Sequence, residues 1–323
     1  MPHDLIKGAM KWTGLSRADI RKITANGPRR YKTYEIDKRS GGKRTIAQPS
    51  RELKELQYYL IDTLFNNFRV HEAAMAYVSG RNIKNNAEPH VHSRFILKMD
   101  FADFFGSVVE SDFDHICKDN QVELSADDNR FCKNVLFYQP TLMSQLRLSI
   151  GAPSSPQLSN AMMFRFDEKI AQECRDHAVV YTRYADDLTF SCDNVEALNH
   201  IRARVPDILG NLPYPTIYVN WNKVFLVSKK YRRTVTGLTI TNDGRVSLGR
   251  DRKRLIRSMI DHFEKGLLDQ NDAQKLRGLM AFSKSVEPSF FESMKNRYGQ
   301  HLISSLMSLP FMERAQNIDD SED

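Results

Sequence analysis

The sequence predicts an α+β fold, and three patterns along the chain carry this prediction. Residues 94–100 form a short, mostly apolar run that ends in a carboxylate, as a strand of a central sheet does when it delivers an acid to the sheet edge. Residues 179–184 and 188–191 are rich in β-forming side chains and flank a tight connection, which predicts a hairpin. From about residue 246 apolar side chains recur at three- and four-residue spacings, which predicts a helical lobe.

The N-terminal region, residues 1–94, is predicted to form an outer lobe of mixed structure. Helical stretches accompany a short extended piece at residues 43–47, and Gly41 and Gly42 supply a turn before it. At the other end of the chain, residues 319–323 are mostly acidic and are predicted to be disordered. A chain of 323 residues, of which 41% are hydrophobic, is long enough for the two or three lobes that this division implies.

The charge of the chain points to a polyanionic partner. Formal net charge is +7, and residues 228–257 contain ten basic residues against two acidic ones, so this stretch alone carries +8. A solvated basic face is the alternative, but so strong a concentration favours binding to a nucleic acid backbone.

Cysteine spacing and hydropathy argue against several other classes of protein. The four cysteines lie far apart and form no Cys-x-x-Cys pair, so a zinc or redox motif is not predicted and reduced thiols are expected. The first residues lack a basic segment followed by a long apolar run, and no apolar segment reaches 18 residues. A cytoplasmic protein without membrane contact is therefore predicted.

Three acids define a candidate catalytic centre. Asp186 and Asp187 lie between the two strands of the predicted hairpin, and Asp100 ends the earlier strand. Adjacent carboxylates repel each other, and a divalent cation removes that penalty. Magnesium prefers oxygen ligands, and two ions can activate an attacking hydroxyl and stabilise a leaving pyrophosphate. An Asp-Asp pair also occurs in ordinary surface turns, so the setting of the pair decides the interpretation.

That setting resembles the motifs of reverse transcriptases. Residues 184–187, Tyr-Ala-Asp-Asp, look like motif C, the strand that ends at Asp100 and precedes two phenylalanines looks like motif A, and residues 151–160 resemble motif B. The resemblance implies a right-hand polymerase with fingers, a palm and a helical thumb. It also implies two magnesium ions, and the ligands that it assigns to them are Asp100, the backbone carbonyl of Phe101, Asp186 and Asp187.

The same resemblance assigns the nucleotide site. Residues 43–49 look like the first fingers motif, whose basic residues grip the triphosphate. The ring of Phe105 falls where the family excludes a ribose 2′-hydroxyl, which implies a DNA product, although a core phenylalanine would look identical. The residues expected to contact the nucleotide are Lys43, Arg44, Phe105, Gly151 and Ala152. Lys43 could equally be a solvated turn residue.

One further motif and one departure bear on catalysis. Residues 219–223 resemble motif D, which makes Lys223 a candidate general acid for the departing pyrophosphate. Most relatives have Pro-Gln before Gly-Ala-Pro, whereas this chain has Ser149 and Ile150. Ile150 cannot supply a side-chain hydrogen bond, which puts nucleotide affinity or fidelity in doubt, while the metal chemistry is unaffected.

Two short signatures narrow the resemblance to retron reverse transcriptases. Residues 86–90, Asn-Ala-Glu-Pro-His, match an Asn-Ala-x-x-His signature, and residues 235–237 match a Val-Thr-Gly triplet. Recognition of folded RNA is expected to use these signatures and the basic residues around the second of them. The predicted RNA-binding residues are Asn86, Ala87, His90, Arg232, Arg233, Val235, Thr236, Gly237, Arg250, Lys253 and Arg254. A strand and turn that pack the last lobe are the alternative for the triplet.

The retron resemblance implies partners and a division of the chain. The expected partners are a cognate noncoding RNA as template and primer, dNTP substrates, a branched RNA-linked DNA product (msDNA) and an effector protein in antiphage defence. The expected regions are an N-terminal and fingers region at 1–94, a palm at 95–245 with a fingers segment at about 116–170, a thumb at 246–312 and a tail at 313–323.

Two alternatives stay open. Another bacterial reverse transcriptase would use an ordinary 3′-hydroxyl primer, and the lack of maturase or endonuclease segments argues against an intron-encoded type. A catalytically inert nucleic-acid-binding scaffold is the second, suggested by Ile150 in place of glutamine and opposed by the three intact acids.

Overall fold

A computed structural model describes residues 4–37 and 41–310, and it confirms the predicted α+β class. The chain divides into two compact units, Met1–Tyr231 and Arg232–Asp323. The predicted boundary between palm and thumb, at residues 245 and 246, lies 14 residues after this division. The predicted tail at 313–323 lies outside the described residues.

Short helices and strands make up the described parts of both units. The α-helices are α1 Leu5–Thr13, α2 Arg17–Ala25, α3 Arg51–Thr63, α4 Ile83–Ala87, α5 Glu110–Asp119, α6 Ala126–Leu136, α7 Ser155–Met162, α8 Phe164–Asp176, α9 Val195–Gly210, α10 Arg250–Glu264, α11 Gln270–Val286, α12 Pro288–Tyr298 and α13 Gln300–Met307. The strands are β1 Tyr31–Asp37, β2 Lys43–Pro49, β3 Phe95–Ala102, β4 Val180–Tyr184, β5 Asp187–Cys192, β6 Tyr218–Val219, β7 Phe225–Ser228, β8 Arg233–Val235, β9 Leu238–Ile240 and β10 Val246–Ser247.

An antiparallel sheet with β3 at its centre organises the first unit. One edge of β3 pairs with β5, which in turn pairs with β4, and the other edge pairs first with β7 and then with β6. Strand β3 is buried on both faces, because Ile96, Leu97, Met99 and Phe101 are each at most 2% exposed. Its run of apolar residues therefore places Asp100 within the sheet, two residues before the strand ends.

Helices cover this sheet, and helices of the N-terminal region share its hydrophobic core. Apolar faces of α1, α2, α3 and α6 join the same buried cluster as the sheet and as α8 and α9. Ser16 and Ser50 begin α2 and α3 by accepting hydrogen bonds from backbone N–H groups of the first turn. Strands β1 and β2 form a separate two-stranded hairpin, in which Asp37 lies opposite Lys43.

Up to residue 310, where the described part of the chain ends, the second unit combines a small sheet with four helices. Strands β8, β9 and β10 form an antiparallel sheet in the order β10-β9-β8, and α10 to α13 follow it. Thr236 and Gly237 connect β8 to β9 with φ angles of 45° and 77°, and their neighbours Val235 and Leu238 are paired. Two positive φ angles in a two-residue connection identify a type I′ hairpin turn.

None of the described helices combines the length and the apolar character that crossing a bilayer demands. All four cysteines are buried and free, so none is paired in a disulfide.

Candidate active site and RNA interface

The structure brings the three predicted acids together at one end of the central sheet. Asp100 on β3 lies directly opposite Asp187, the first residue of β5. Asp186 occupies the two-residue connection between β4 and β5, together with Ala185, whose φ of 57° turns the chain sharply. The backbone N–H of Phe101 donates to the carbonyl of Asp186 at 3.1 Å, which holds the hairpin tip against β3.

The pKa shifts within this cluster indicate an excess of negative charge. Burial, followed by the charges of Asp100 and Asp187, raises the pKa of Asp186 to about 6. Burial also raises the pKa of Asp187; the charge of Asp100 adds to this, while Lys98 opposes it. The charge of Asp100 thus makes ionisation of Asp186 and of Asp187 harder, and a bound divalent cation would remove that repulsion. An all-oxygen donor set of this kind fits a hard cation such as magnesium.

Two residues of the 219–223 segment contact Asp100 directly. The Nζ atom of Lys223 lies 2.9 Å from Oδ2 of Asp100, and Nδ2 of Asn220 donates to Oδ1 at 3.2 Å. Desolvation opposes the charged form of Lys223, but the hydrogen bond to Asp100 and the three nearby carboxylates raise its pKa, so Lys223 is a cation. Sequence reasoning assigned no role to Asn220, although it lies inside the quoted motif.

A buried ion pair supports the hairpin from behind. Both side chains of the Arg183–Asp167 pair are 0% exposed, and the guanidinium donates from Nε and Nη2 to the two carboxylate oxygens at 2.8 and 2.6 Å. Its Nη1 donates to the Ala185 carbonyl at 3.1 Å and to Oδ1 of Asn160 at 3.0 Å. One side chain thereby links the hairpin tip to α7 and α8. No local sequence pattern predicts this pair, because a strand arginine normally faces solvent.

His90 binds the same hairpin through its ring. Its Nδ1 lies 2.7 Å from the Ser191 hydroxyl and its Nε2 lies 2.8 Å from the Thr182 hydroxyl, so the ring bridges β4 and β5. Burial lowers the pKa of His90 to about 3, so the ring is neutral. Asn86 and Ala87 are also buried, at 1% and 0% exposure. These three side chains cannot reach RNA in this fold, and the structure replaces their predicted RNA contact with packing of the hairpin.

Strand β2 lies close to the start of the 151–160 segment. The backbone N–H of Ala47 donates to the carbonyl of Ile150 at 2.8 Å, and Gly151 follows with a φ of 120°. A Cβ atom on Gly151 would lie 2.9 Å from both the Ala47 carbonyl oxygen and the Cγ2 atom of Ile46. The backbone of Ile150 therefore makes a contact that does not depend on its side chain.

Replacing Gly151 with alanine is expected to weaken nucleotide use and lower stability. A side chain must here adopt a positive φ and displace β2, which costs about 1–3 kcal/mol. We expect a raised KM for dNTP in steady-state DNA synthesis and a lower free energy of unfolding in urea. Gly210→Ala is the matched control, because that position is helical and nothing lies within 4 Å of the added Cβ. Equal effects of both substitutions would contradict the close approach of β2.

The other predicted nucleotide residues occupy varied environments. Lys43 is exposed and lies 2.8 Å from Oε2 of Glu35 across the β1–β2 hairpin, and Arg44 is exposed beside it. Ala152 is 4% exposed, so it is buried in this structure. The half-buried ring of Phe105 packs against Phe104, with 5.4 Å between ring centroids.

Tyr77, to which no role was assigned from the sequence, carries a hydroxyl whose pKa is affected by the charge of Asp186. It is 47% exposed and has a φ of 58°, an uncommon conformation for a bulky side chain. Burial raises the pKa of its hydroxyl, and the charge of Asp186 adds to this, while Arg44 opposes it. The charges of a hairpin acid and of a predicted triphosphate-binding residue therefore both act on the Tyr77 hydroxyl. The unusual backbone conformation of Tyr77 is visible only in the structure.

The predicted RNA-binding residues of the second unit divide into exposed and internal ones. Arg233 and Val235 are 0% exposed, and Nη2 of Arg233 donates to the Thr241 carbonyl at 2.8 Å, so both pack the unit. Lys253 forms a salt bridge with Glu287, in which Nζ lies 2.6 Å from Oε1. The residues that remain open to an RNA ligand, at least in part, are Arg232, Thr236, Gly237, Arg250 and Arg254.

Comparison with known proteins identifies the class and then the family. Residues 36–240 match the family model described as "Reverse transcriptase (RNA-dependent DNA polymerase)". The chain is therefore an RNA-directed DNA polymerase, with the α+β fold described above. Its curated relatives carry a narrower name, and on their similarity this chain belongs to the retron reverse transcriptases.

These relatives match over most of their length. Retron Ec83 reverse transcriptase of Escherichia coli is 39% identical over 278 residues, which are 85% of this chain and 89% of the relative. Retron Ec73 reverse transcriptase of the same species is 31% identical over 285 residues, with the same two shares. A foamy viral protease-reverse transcriptase solved with double-stranded DNA has a TM-score of 0.43 at 14% identity, over 86% of this chain and 43% of the viral chain.

Proposed function

We propose that this retron enzyme binds one structured noncoding RNA from its own locus and extends a guanosine 2′-hydroxyl of that RNA into branched single-stranded DNA. Membership of the retron family supports the partner RNA and the branched product. The observation that carries the chemistry is the convergence of Asp100, Asp186 and Asp187 at one end of the sheet. The pKa values of two of these carboxylates, Asp186 and Asp187, are raised. A site of three carboxylates therefore needs a cation before it can accept a triphosphate.

In the proposed mechanism the three acids and the Phe101 carbonyl hold the divalent cations, which we assign as Mg²⁺. When bound, such a pair activates the attacking hydroxyl and neutralises charge on the leaving pyrophosphate. Asp186 and Asp187 are held in position by the hairpin, and Asp100 by its central strand. The exposed Lys43 and Arg44 are proposed to bind the triphosphate, and Phe105 to exclude a ribose 2′-hydroxyl from the incoming nucleotide.

Lys223 is proposed to protonate the departing pyrophosphate. Its side chain is a cation that already lies within hydrogen-bond distance of Asp100, so it can reach the reacting phosphates. A single-turnover rate of nucleotide addition that is unchanged in Lys223→Ala would exclude this role.

RNA recognition is proposed to use the exposed cations at the start of α10. Arg250 and Arg254 are four residues apart and exposed, so they lie on one face of the helix. Arg232 and the Thr236–Gly237 turn are further candidates in this unit. These groups can meet an RNA stem through phosphates and 2′-hydroxyls.

Replacing Arg250 and Arg254 with alanine is expected to weaken binding of the cognate RNA and to reduce its salt dependence. Log K falls as log salt concentration rises, and each lost phosphate contact makes this negative slope shallower by about 1. Filter binding or fluorescence anisotropy across a salt series measures this. Arg130→Ala, an exposed arginine on α6, is the control for loss of charge. A double variant with the wild-type slope would contradict a role for this face.

We further propose that the enzyme acts in the cytoplasm in antiphage defence. There, its complex with RNA and DNA restrains an effector protein until infection. These proposals rest on the retron family and on no residue described above. The genes that flank the locus would identify the effector.

The decisive experiment expresses the chain with its neighbouring noncoding RNA, then extracts nucleic acid and treats it with RNase and a debranching enzyme. A short DNA whose mobility shifts on debranching is the expected result. DNA that is unaffected by debranching would favour the 3′-hydroxyl alternative. Absence of DNA with the cognate RNA confirmed would favour the inert scaffold and overturn the proposal.

A further inference from the structure

A second group of potential metal ligands lies away from the three acids, on the surface where α8 packs against α9. It consists of Glu173, His177 and His200, whose ligand atoms all lie within 4.8 Å of one another. Glu173 and His177 are four residues apart at the end of α8, so they share one side of that helix. His200 comes from α9. We propose that these three side chains bind one Zn²⁺ ion and thereby join the two helices.

The hydrogen bonds of His177 leave the nitrogen that a metal needs. Its Nδ1 lies 3.0 Å from the backbone carbonyl of Glu173, and a carbonyl oxygen only accepts hydrogen bonds. Nδ1 therefore carries the proton, and in the neutral ring Nε2 has a free lone pair. A backbone carbonyl that fixes the tautomer in this way is a common partner of metal-binding histidines. The rings of His177 and His200 stack with 4.1 Å between centroids and 20° between their planes, so one of these exposed rings must turn for both lone pairs to meet at one ion.

The carboxylate of Glu173 divides its two oxygens between different partners. Arg204 donates from Nε and Nη2 to Oε1, at 3.2 and 2.8 Å. These hydrogen bonds lower the pKa of Glu173, so the carboxylate is ionised, and they leave Oε2 directed at His200. Nε2 of His200 lies 3.3 Å from Oε2. Two ligands of a tetrahedral zinc ion are separated by about 3.4 Å, given bond lengths of about 2.0–2.2 Å.

The chemistry of these ligands selects the metal. Two imidazoles and one carboxylate suit zinc and its neighbours in the first transition row, whereas magnesium prefers oxygen ligands alone. Two of the three ligand residues, His177 and His200, are exposed, so an ion can enter from solvent and keep water as its fourth ligand. The proposed ion is therefore distinct in kind from those assigned to the three acids.

Binding at this position would hold α8 in place, which matters because α8 also carries Asp167, the partner of Arg183. An ion that binds only the folded chain stabilises it in proportion to the logarithm of its concentration over Kd. Zn²⁺ is thus expected to raise the thermal unfolding temperature of the wild-type protein.

Metal titration in excess Mg²⁺ tests the proposal, because Mg²⁺ occupies oxygen sites and leaves imidazoles free. The EDTA-treated protein is titrated with Co²⁺ and then with Zn²⁺. We expect one equivalent of Co²⁺ to give the visible absorption of a tetrahedral site, and Zn²⁺ to displace it. His177→Ala and His200→Ala are each expected to weaken affinity by at least about tenfold and to abolish the Zn²⁺-dependent rise in unfolding temperature.

His301→Ala, which removes an exposed histidine from the other unit, is the control and should retain full binding. Circular dichroism establishes that each variant is folded, and Glu173→Gln offers a third test of the same site. Wild-type protein that binds no Co²⁺ in Mg²⁺, or binding that survives both histidine substitutions, would overturn the proposal. Because the measurement is metal binding and not DNA synthesis, its failure would be distinct from failure of the proposed function.

Discussion

Replacing Asp186 with asparagine is expected to abolish DNA synthesis and, without metal, to stabilise the folded protein. The substitution removes a proposed metal ligand while keeping the shape of the side chain. Metal stabilisation of charge in the transition state is worth several kcal/mol, so a rate loss of at least about 1,000-fold is expected. Primer extension with the cognate RNA, over long reaction times, measures this loss.

The stability effect follows from the pKa of Asp186, which is raised from 3.8 to about 6. A raised pKa means that the folded protein binds this proton more tightly than the unfolded chain. The stabilisation is fully present below about pH 3.8 and is lost as pH rises through about 6. At pH 7 the metal-free wild type is therefore less stable than Asp186→Asn by up to about 3 kcal/mol.

Urea unfolding in EDTA at pH 4, 5, 6 and 7 tests that sign. The gap between the variant and the wild type should widen as pH rises and should narrow again when Mg²⁺ is added at pH 7. Asp62→Asn, on the exposed face of α3, controls for the loss of one negative charge. A gap that stays constant from pH 4 to 7 would show that repulsion at Asp186 is not responsible.

Replacing Asp167 with asparagine is expected to cause the largest loss of stability. Arg183 would remain buried at 0% exposure without its anionic partner. Breaking a buried pair in this way costs about 3–5 kcal/mol, mostly because one charge is left uncompensated. Since Arg183 also holds the Ala185 carbonyl, we expect a lower kcat at temperatures where the variant is still folded, with dNTP KM less affected.

A surface pair provides the comparison for this variant. Glu292 lies 3.0 Å from Lys295, but the two side chains are 58% and 30% exposed. Glu292→Gln should change the free energy of unfolding by less than about 1 kcal/mol. If Asp167→Asn costs no more than this control, the buried pair does not support the hairpin as described.

The elements that carry the three proposed catalytic acids could be predicted from the sequence because they have strong local signals. A continuous apolar run predicts the central strand, and two β-rich runs with a short connection predict the hairpin. The resemblance to motifs A and C then implies that Asp100 and Asp186 share one site. The strand boundaries differ slightly, since β3 continues to Ala102 and Asp187 already belongs to β5.

The supporting contacts could not be placed, because they join residues that are distant in the sequence. Arg183 and Asp167 pair across two elements, and nothing in their local sequences distinguishes a buried pair from two exposed charges. His90 was expected at an RNA surface because a short signature shows its type and position but not its burial. The position of Tyr77 depends on a positive φ in an irregular segment. Because Tyr77 is not a glycine, its sequence does not predict that conformation.

The type I′ turn at Thr236 and Gly237 also determines which of two adjacent arginines is exposed. Successive side chains of a strand point to opposite faces, so Arg233 enters the core of its unit while Arg232 stays outside. A two-residue turn fixes the register of β8 on β9, and a shift by one residue would exchange those faces. One inserted residue would drive the charge of Arg232 inward and expose Arg233. The length of this loop thus selects the arginine that is displayed.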